Sequence, residues 1–486
     1  MVQDTGLGQE MFISAYKKQD KNGDINIHCY RYTDQHIDDM HEDQMHMQNE
    51  YIAERSLVYC VSPPGENQWI KDLNSSEHDE LIKSMDQLNI NQVNENALKK
   101  YPLPEHKHTS AIVKFYNDLG ENVRVGQLIE VIGIRGNDVA KNNNSEEEAM
   151  LGYGSVSDTL TGVPVLHAIA YQSLEADQCL DLQKQQSVDT DQIRKELIEY
   201  IASALNGDVL TAEFILLQLV SQVTTKSQGF KIGNFSLNIT GFPTYTHTDE
   251  DKSKSLLSLN NPASQSLATV LDQLSLHSVH LPLTIDGLNK TRFTPKSVNE
   301  NLEAGILQLA NGTTLLVDET VLEEGQLVDS GIRNLQALQN VIQSQTLLYE
   351  FPFSQFEFDT DIGVISLSDS KSILPSHCSV RYTFSTAREL MQPSKETLDQ
   401  YRRFIHDAKY ASYDILESVS EHIQTSFVNE RKEAASNGTE LPTQEDLMLR
   451  MNLARLVTVS FGENNLSKER YDYVVNLDKK RKSTLN

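Results

Sequence analysis

The sequence predicts an α/β plus β fold: a small β unit first, an α/β unit after residue 160, and a helical segment beyond residue 390. Three observations carry this. Up to residue 134, short runs alternate polar and apolar residues, the two-residue period of half-buried strands. After residue 160, apolar strand-like runs interleave with helical ones, the pattern of a sheet covered by helices. Beyond residue 390 only helical spacing remains. At 486 residues, 38% of them hydrophobic, the chain is long enough for two to four cored domains.

Residues 1–30, with MFISAY and INIHCYRY, read as a hairpin turning at Lys21, Asn22, Gly23 and Asp24. Residues 31–55 are acidic, rich in His and Met and without a period, and read as a loop. SLVYCVSPPGENQW (56–69) reads as a strand ended by a Pro-Pro-Gly turn, and the Asn-rich stretch 70–104 as an insertion. SAIVKFYNDLGENVRVGQLIEVIGI (110–134) gives strand, turn and strand. The close spacing of these strands predicts an OB-like β-barrel over residues 1–136. An Asn/Glu/Gly-rich linker, 137–160, follows it.

Residues 161–385 form the expected α/β unit. In DQIRKELIEYIASAL (191–205), Ile193, Leu197, Ile198, Ile201 and Leu205 fall on one helical face, with Asp191 near the cap. DVLTAEFILLQLVSQV (208–223) is apolar almost all round, which implies a buried helix. FSLNITGF (235–242) reads as a strand, 267–276 as helix and 279–285 as extended chain. TTLLVDE (313–319) is a short apolar strand ending in two acids. Helix 334–344 and strands 346–350 and 361–367 follow. Residues 386–476 predict a helical lid with an insertion at 434–442, and 477–486 a basic tail.

The formal charge is −27. Duplex affinity comes largely from Lys and Arg replacing counterions, so no direct high-affinity DNA binding is expected. The charge either draws in a basic protein or serves only solubility. No apolar run approaches the roughly 18–20 residues of a membrane span, and MVQDTGLGQE lacks the plan of a secretory signal. The expectation is a soluble, intracellular chain with no membrane partner. Cys29, Cys60, Cys179 and Cys378 form no CxxC pair and read as reduced thiols.

His36, His41 and His46 recur every five residues beside Met45 and Met47. Imidazole and carboxylate are good metal ligands, but a spacing of five shares no helical face, and the stretch reads as a loop. No G-x-S-x-G, H-E-x-x-H or paired-cysteine motif appears. The sequence therefore points to no metal, cofactor or catalytic residue.

One constellation does point to chemistry. The order strand, loop, helix, then apolar strand ending Asp-Glu matches the core of an ATP-hydrolysing AAA+ domain. Such a site needs a glycine loop whose N–H groups approach phosphate, a Lys, and an acid for Mg²⁺ and water. The phosphate pattern G-x-x-x-x-G-K-[ST] falls here on Gly241-Phe242-Pro243-Thr244-Tyr245-Thr246-His247-Thr248. Gly241 and Thr248 stand, and Pro243 keeps the G-x-P start of MCM helicases. Thr246 replaces the second glycine and loses its freedom at positive φ. His247, mostly neutral at pH 7, replaces the lysine. Leu315-Leu316-Val317-Asp318-Glu319 keeps the acid pair, though taken alone it reads rather as a buried strand ending in surface acids. Ser368-Asp369 stands where an active helicase shows an Asn sensor. The parts lie in order without the phosphate loop, which fits a degenerate AAA+-like, MCM-like unit.

The resemblance extends further. MVQDTGLGQEMF (1–12), LVYCVSPPGENQW (57–69), AIVKFY and VGQLIEVIGI (111–134), VPVLHAIA (163–170), LNGDVLTAEFILLQLVSQV (205–223), FSLNITGFP (235–243), TTLLVDETVLEEGQL (313–327) and LARLVTVSFGENNLSKERYDYV (453–474) resemble the mini-chromosome maintenance (MCM) complex-binding protein family. That resemblance implies a nuclear, non-catalytic protein that binds MCM helicase subunits and reaches chromatin indirectly. It also implies a role in assembling MCM complexes or removing them from chromatin, with effects on sister-chromatid cohesion. On this reading Lys479, Lys480, Arg481 and Lys482 are a nuclear-localisation cluster; the alternative is a helix end with cations facing its dipole. Two further hypotheses stand beside it: an active AAA+ ATPase acting on the helicase, and an acidic histone-chaperone-like scaffold.

Overall fold

The computed structural model describes residues 1–19, 23–34, 51–74, 95–104, 106–136, 160, 162–174, 189–227, 230–244, 257–299, 301–384, 388–438 and 441–485. His36, His41 and His46 lie outside them.

The alternating N-terminal runs become β1 (Val2–Asp4), β2 (Gln9–Ile13), the hairpin β3 (Ala15–Gln19) and β4 (Ile25–Cys29), β5 (Ile52–Val61), β6 (Ser110–Tyr116), β7 (Ile129–Arg135) and β8 (Val165–Ser173). The first sheet has the order β1-β5-β6-β8-β7, with β2 also on β5. Two boundaries differ from the sequence reading. β8 pairs parallel with β6 and antiparallel with β7, so the sheet runs on to Ser173 and the boundary expected at 136 falls inside it. β5 begins within the stretch read as a loop. Its pattern is hidden by Arg55, a charged residue that is nevertheless buried because Glu10 and Asp34 pair with it at 2.8 and 2.7 Å. The stretch read as an insertion also holds structure: α1 (Gln68–Asn74), α2 (Glu95–Leu98) and the buried Lys100, Tyr101 and Leu103. Lys100 is tied to Asp4 at 2.7 Å.

Next come α3 (Thr190–Ser203), α4 (Val209–Leu219), the short pair β9 (Thr225–Ser227) and β10 (Phe230–Ile232), β11 (Leu237–Thr240), α5 (Pro262–Leu274), β12 (Ser278–Pro282) and α6 (Ile285–Lys290). They are followed by β13 (Lys296–Val298), β14 (Asn301–Glu303), β15 (Thr314–Asp318), α7 (Asp329–Ser344), β16 (Thr346–Phe351), β17 (Ser354–Asp359), β18 (Gly363–Leu367) and β19 (Cys378–Arg381). Five of these strands make a sheet of order β12-β15-β18-β11-β19, every neighbouring pair parallel. β15 is buried throughout, the continuous apolar run of a sheet covered on both faces. Its alternate residues enter different cores: Leu316 joins the cluster of α3, α4 and α5, while Leu315 and Val317 join the one shared with the first sheet.

α3 buries Leu197, Ile198 and Ile201 as its periodicity requires. Its cap is Asp189, whose carboxylate accepts the Asp191 N–H at 3.1 Å. The chain ends in α8 (Lys395–Lys409), α9 (Glu417–Asn437), α10 (Gln444–Ser460) and α11 (Lys468–Leu485). These do not form a separate lid. Leu453, Leu456, Val457, Tyr471 and Val474 share one core with α3, α4, β11 and β19, because α10, like α4, carries apolar residues too far round to expose a face. No described helix is long and apolar enough to cross a membrane.

The Pro-Pro-Gly turn after β5 is the seam between the two sheets. Gly65 holds φ at +72° and its carbonyl accepts the Ser278 N–H at 2.8 Å. Asn67 donates from Nδ2 to the Ser275 carbonyl at 2.8 Å, and Trp69 from Nε1 to the same oxygen at 3.1 Å. The apolar side of the seam is one cluster containing Leu57, Tyr59 and Val165 with Val279, Leu281 and Leu315.

Candidate functional site

In a parallel sheet the carboxyl ends of the strands gather at one edge, where ligands of such sheets bind. Here β18 lies between β15 and β11. The residues that follow these three strands, far apart in sequence, are therefore neighbours. The Glu319 N–H donates to the Leu367 carbonyl at 2.9 Å, and the Phe242 N–H to the Ser368 carbonyl at 2.9 Å. The fold thus brings together Gly241, Pro243, Asp318, Glu319 and Ser368. Thr246, His247 and Thr248 lie outside the described residues.

Gly241 has φ +68°, so the chain leaves β11 by a turn that favours glycine. The space above it belongs to Arg381, whose Cγ lies 3.6 Å from where a Cβ would stand. Phe242 turns inward, buried beside Tyr382 with ring centroids 5.4 Å apart. The Pro243 carbonyl accepts from Asn261 Nδ2 at 2.7 Å, and the same amide reaches Thr320 Oγ1 at 3.1 Å. Asn261 Oδ1 meanwhile accepts the Ala263 N–H at 3.0 Å, capping α5. One side chain so fastens the loop after β11, the start of α5 and the turn after Asp318.

Asp318 is fully buried. Its Oδ1 accepts from the Thr320 N–H at 3.0 Å and from Thr320 Oγ1 at 2.6 Å; its Oδ2 has no hydrogen-bond partner among the described residues. Glu319 is buried too. Its Oε1 accepts from Ser372 Oγ at 2.5 Å and its Oε2 from the Ile373 N–H at 3.0 Å. Burial pushes its carboxyl above the ordinary range, against the opposing pull of those two hydrogen bonds. Each oxygen of Glu319 thus accepts one hydrogen bond from the loop at 372–373, which ties the acid into this edge. Ser368 Oγ likewise turns to its own neighbourhood, donating to Asn238 Oδ1 at 3.2 Å.

Sequence reasoning missed Asn261, Thr320, Ser372 and Arg381. Only Asn261 carried a signal, an Asn followed by Pro262 at a helix start. The basic cluster is also placed differently. Residues 468–485 are one helix, so the expected basic tail is the last turns of α11. Lys479 and Lys480 are exposed. Arg481 is buried, pairing with Asp478 at 2.7 Å and donating to the Ser379 carbonyl at 2.9 Å. Lys482 reaches Asp446 at 2.6 Å. The cluster contains a structural arginine because β19 packs directly beneath it.

Comparison with known proteins gives one family. The model described as mini-chromosome maintenance replisome factor matches residues 1–92 and 75–485. The mini-chromosome maintenance complex-binding protein of Danio rerio is 26% identical, covering 96% of this chain and 85% of its own. That of Gallus gallus is 27% identical, covering 100% and 87%. That of Arabidopsis thaliana is also 27% identical, with the same two coverages of 100% and 87%.

Proposed function

This chain belongs to the mini-chromosome maintenance replisome factor family, and from that premise we propose that it binds subunits of the MCM helicase in the nucleus without turning over ATP. Its second unit is read as a degenerate AAA+-like domain behind an OB-like first sheet. The strand order supports this reading: the glycine turn follows the first parallel strand, the acid pair the third, and the sensor position the fourth, which lies between the other two. The observation that carries the non-catalytic part is Glu319, whose two oxygens are both engaged by the loop at 372–373.

A chain that keeps the outline of a helicase subunit without its chemistry can occupy a subunit interface. On that basis it controls assembly of the MCM complex and its removal from chromatin, with sister-chromatid cohesion as a downstream effect. The charge of −27 argues that chromatin is reached through the helicase and not through DNA. The test is capture on the tagged full chain from a nuclear extract, together with ATP turnover by the purified chain. Helicase subunits on the resin and no turnover are expected. Histones without helicase subunits, or a turnover abolished by Asp318→Asn with Glu319→Gln, would overturn the reading.

A further inference from the structure

The strands β16 and β17 form a hairpin that the candidate site does not use. Phe351 and Ser354 are paired, leaving a two-residue loop of Pro352 and Phe353. Neither loop residue has positive φ, so the proline sets the turn and the second position accepts almost any side chain. It holds Phe353, 102% exposed, with Phe356 beside it at 54%. Folding gains nothing from that ring. The hairpin beneath it is stiff: Tyr349 is buried, Phe358 packs edge-on against it at 4.5 Å, and Phe351 meets Phe356 at 5.8 Å. β17 is an edge strand among the described residues, with no further described strand of its sheet on that side.

The charges on the hairpin's own residues are of one sign. Residues 346–361 contain Glu350, Glu357, Asp359 and Asp361 and no Lys or Arg. Glu350 is offset by Lys296 at 3.2 Å and Asp359 by Lys231 at 2.6 Å, while Glu357 is exposed. The exposed Glu357 leaves the hairpin with an acid facing outward, which suits a basic protein surface better than a phosphate.

We propose that this hairpin is a docking knob: Phe353 enters an apolar socket rimmed by Lys or Arg on an MCM helicase subunit. The inference rests on the proposed helicase binding and assigns part of that contact to this hairpin. A pre-ordered aromatic anchor is the kind of residue that dominates an interface, because little freedom is lost when it is seated. Phe353→Ala should weaken binding roughly 30-fold, the equivalent of about 2 kcal/mol for burying a phenyl ring.

The experiment measures the affinity of the full chain for recombinant MCM subunits, one at a time, at two salt concentrations. Expected results are a roughly 30-fold loss for Phe353→Ala and for Phe353→Ser, and an added, salt-sensitive loss for Glu357→Lys. Phe384→Ala, which removes an equally apolar exposed ring elsewhere, should change nothing. Melting temperatures should match, since Phe353 touches no core. If the wild-type chain binds a subunit and both Phe353 variants bind it equally well, the hairpin inference is overturned and the helicase reading stands. If the wild-type chain binds no subunit, both fall. Binding to duplex DNA that Phe353→Ala abolishes would overturn it in favour of a nucleic-acid contact.

Discussion

Replacing Glu319 separates a structural brace from a catalytic acid. In the fold, Oε2 accepts the Ile373 N–H at 3.0 Å and Oε1 accepts from Ser372 Oγ at 2.5 Å. Glutamine can keep both: its oxygen takes the Ile373 N–H, and its amide donates to Ser372 Oγ, whose own proton turns to the Leu374 carbonyl at 3.1 Å. Glu319→Gln should therefore be close to neutral. Alanine cannot do this. It leaves the Ile373 N–H without its acceptor, at about 1–3 kcal/mol, and removes a charge-assisted bond to Ser372. The sum is about 3 kcal/mol. Unfolding entropy of about 2.1 cal/mol/K per residue over 486 residues gives about 1 kcal/mol/K. The melting temperature of Glu319→Ala should then fall by about 3 °C, and that of Glu319→Gln by less than about 1 °C. The pH dependence has a defined sign. Burial holds the folded pKa above its ordinary value, so ionisation costs stability as pH rises through that folded pKa, and Gln avoids the cost. The wild type should gain on Glu319→Gln as pH is lowered toward 4.5. Calorimetric melts at several pH values, with ATP turnover measured alongside, make the assay. A melting temperature unchanged by Glu319→Ala, or a turnover removed by Glu319→Gln, refutes the brace.

Three other outcomes are expected. In Gly65→Ala the new Cβ meets the Ser278 carbonyl at 2.5 Å from a backbone at φ +72°. It should cost about 2–4 kcal/mol and shift the emission of Trp69, the single tryptophan, to longer wavelength; unchanged emission and melting would show that the seam yields freely. His277 is buried, and burial lowers its pKa to about 4, so the unfolded chain binds the proton first. Stability present above about pH 6.5 is lost as pH falls toward 4, by about 3 kcal/mol; His277→Gln should flatten that slope, and parallel wild-type and variant curves would remove His277 from the account. Lys479→Ala with Lys480→Ala touches only exposed side chains. It should leave melting unchanged and move a fluorescent fusion toward the cytoplasm, whereas a fully nuclear signal would assign import to another segment or to a carried partner.

How much of this was legible depends on how local the cause is. The faces of α3 and α4 and the run of β15 follow from burial periodicity, and Asp318 and Glu319 could be placed at a strand end from TTLLVDE alone. Strand order is not local. Nothing in VPVLHAIA says that β8 inserts between β6 and β7, so the first unit was closed too early. β17 was missed because its residues are mostly exposed, which leaves aromatic residues in a run without a buried face. Arg55 and Arg481 misled in the same way: a charge reads as surface unless its acids are seen, and Glu10 lies 45 residues from Arg55. At the candidate site, Gly241 and the acid pair were legible as motif remnants. That Asn261 and Ser372 hold them was not, since these contacts cross 18 and 53 residues.

On the proposed reading, those cross-ties bear on how a non-hydrolysing subunit mimic would work. A nucleotide site that drives a cycle needs its loops free to change partners between bound states. Here the edge is laced together: Pro243 to Asn261, Asn261 to Thr320, Thr320 to Asp318, and Glu319 to Ser372 and Ile373. Releasing any strand of that lacing strands a buried polar group, which costs about 1–3 kcal/mol each. The edge should therefore present one shape to a partner. On the proposed reading this chain brings no energy source to the complex. Its association with helicase subunits is then an equilibrium set by differential affinity and concentration alone. Whether it acts in assembly or in removal depends on which state of the helicase exposes the surface it fits. A direction of action has to be supplied by the helicase's own nucleotide cycle, so release from helicase subunits should follow the nucleotide added to them and be indifferent to Asp318→Asn in this chain. Release that slows when Asp318 alone is changed would mean that this edge still takes part in a cycle.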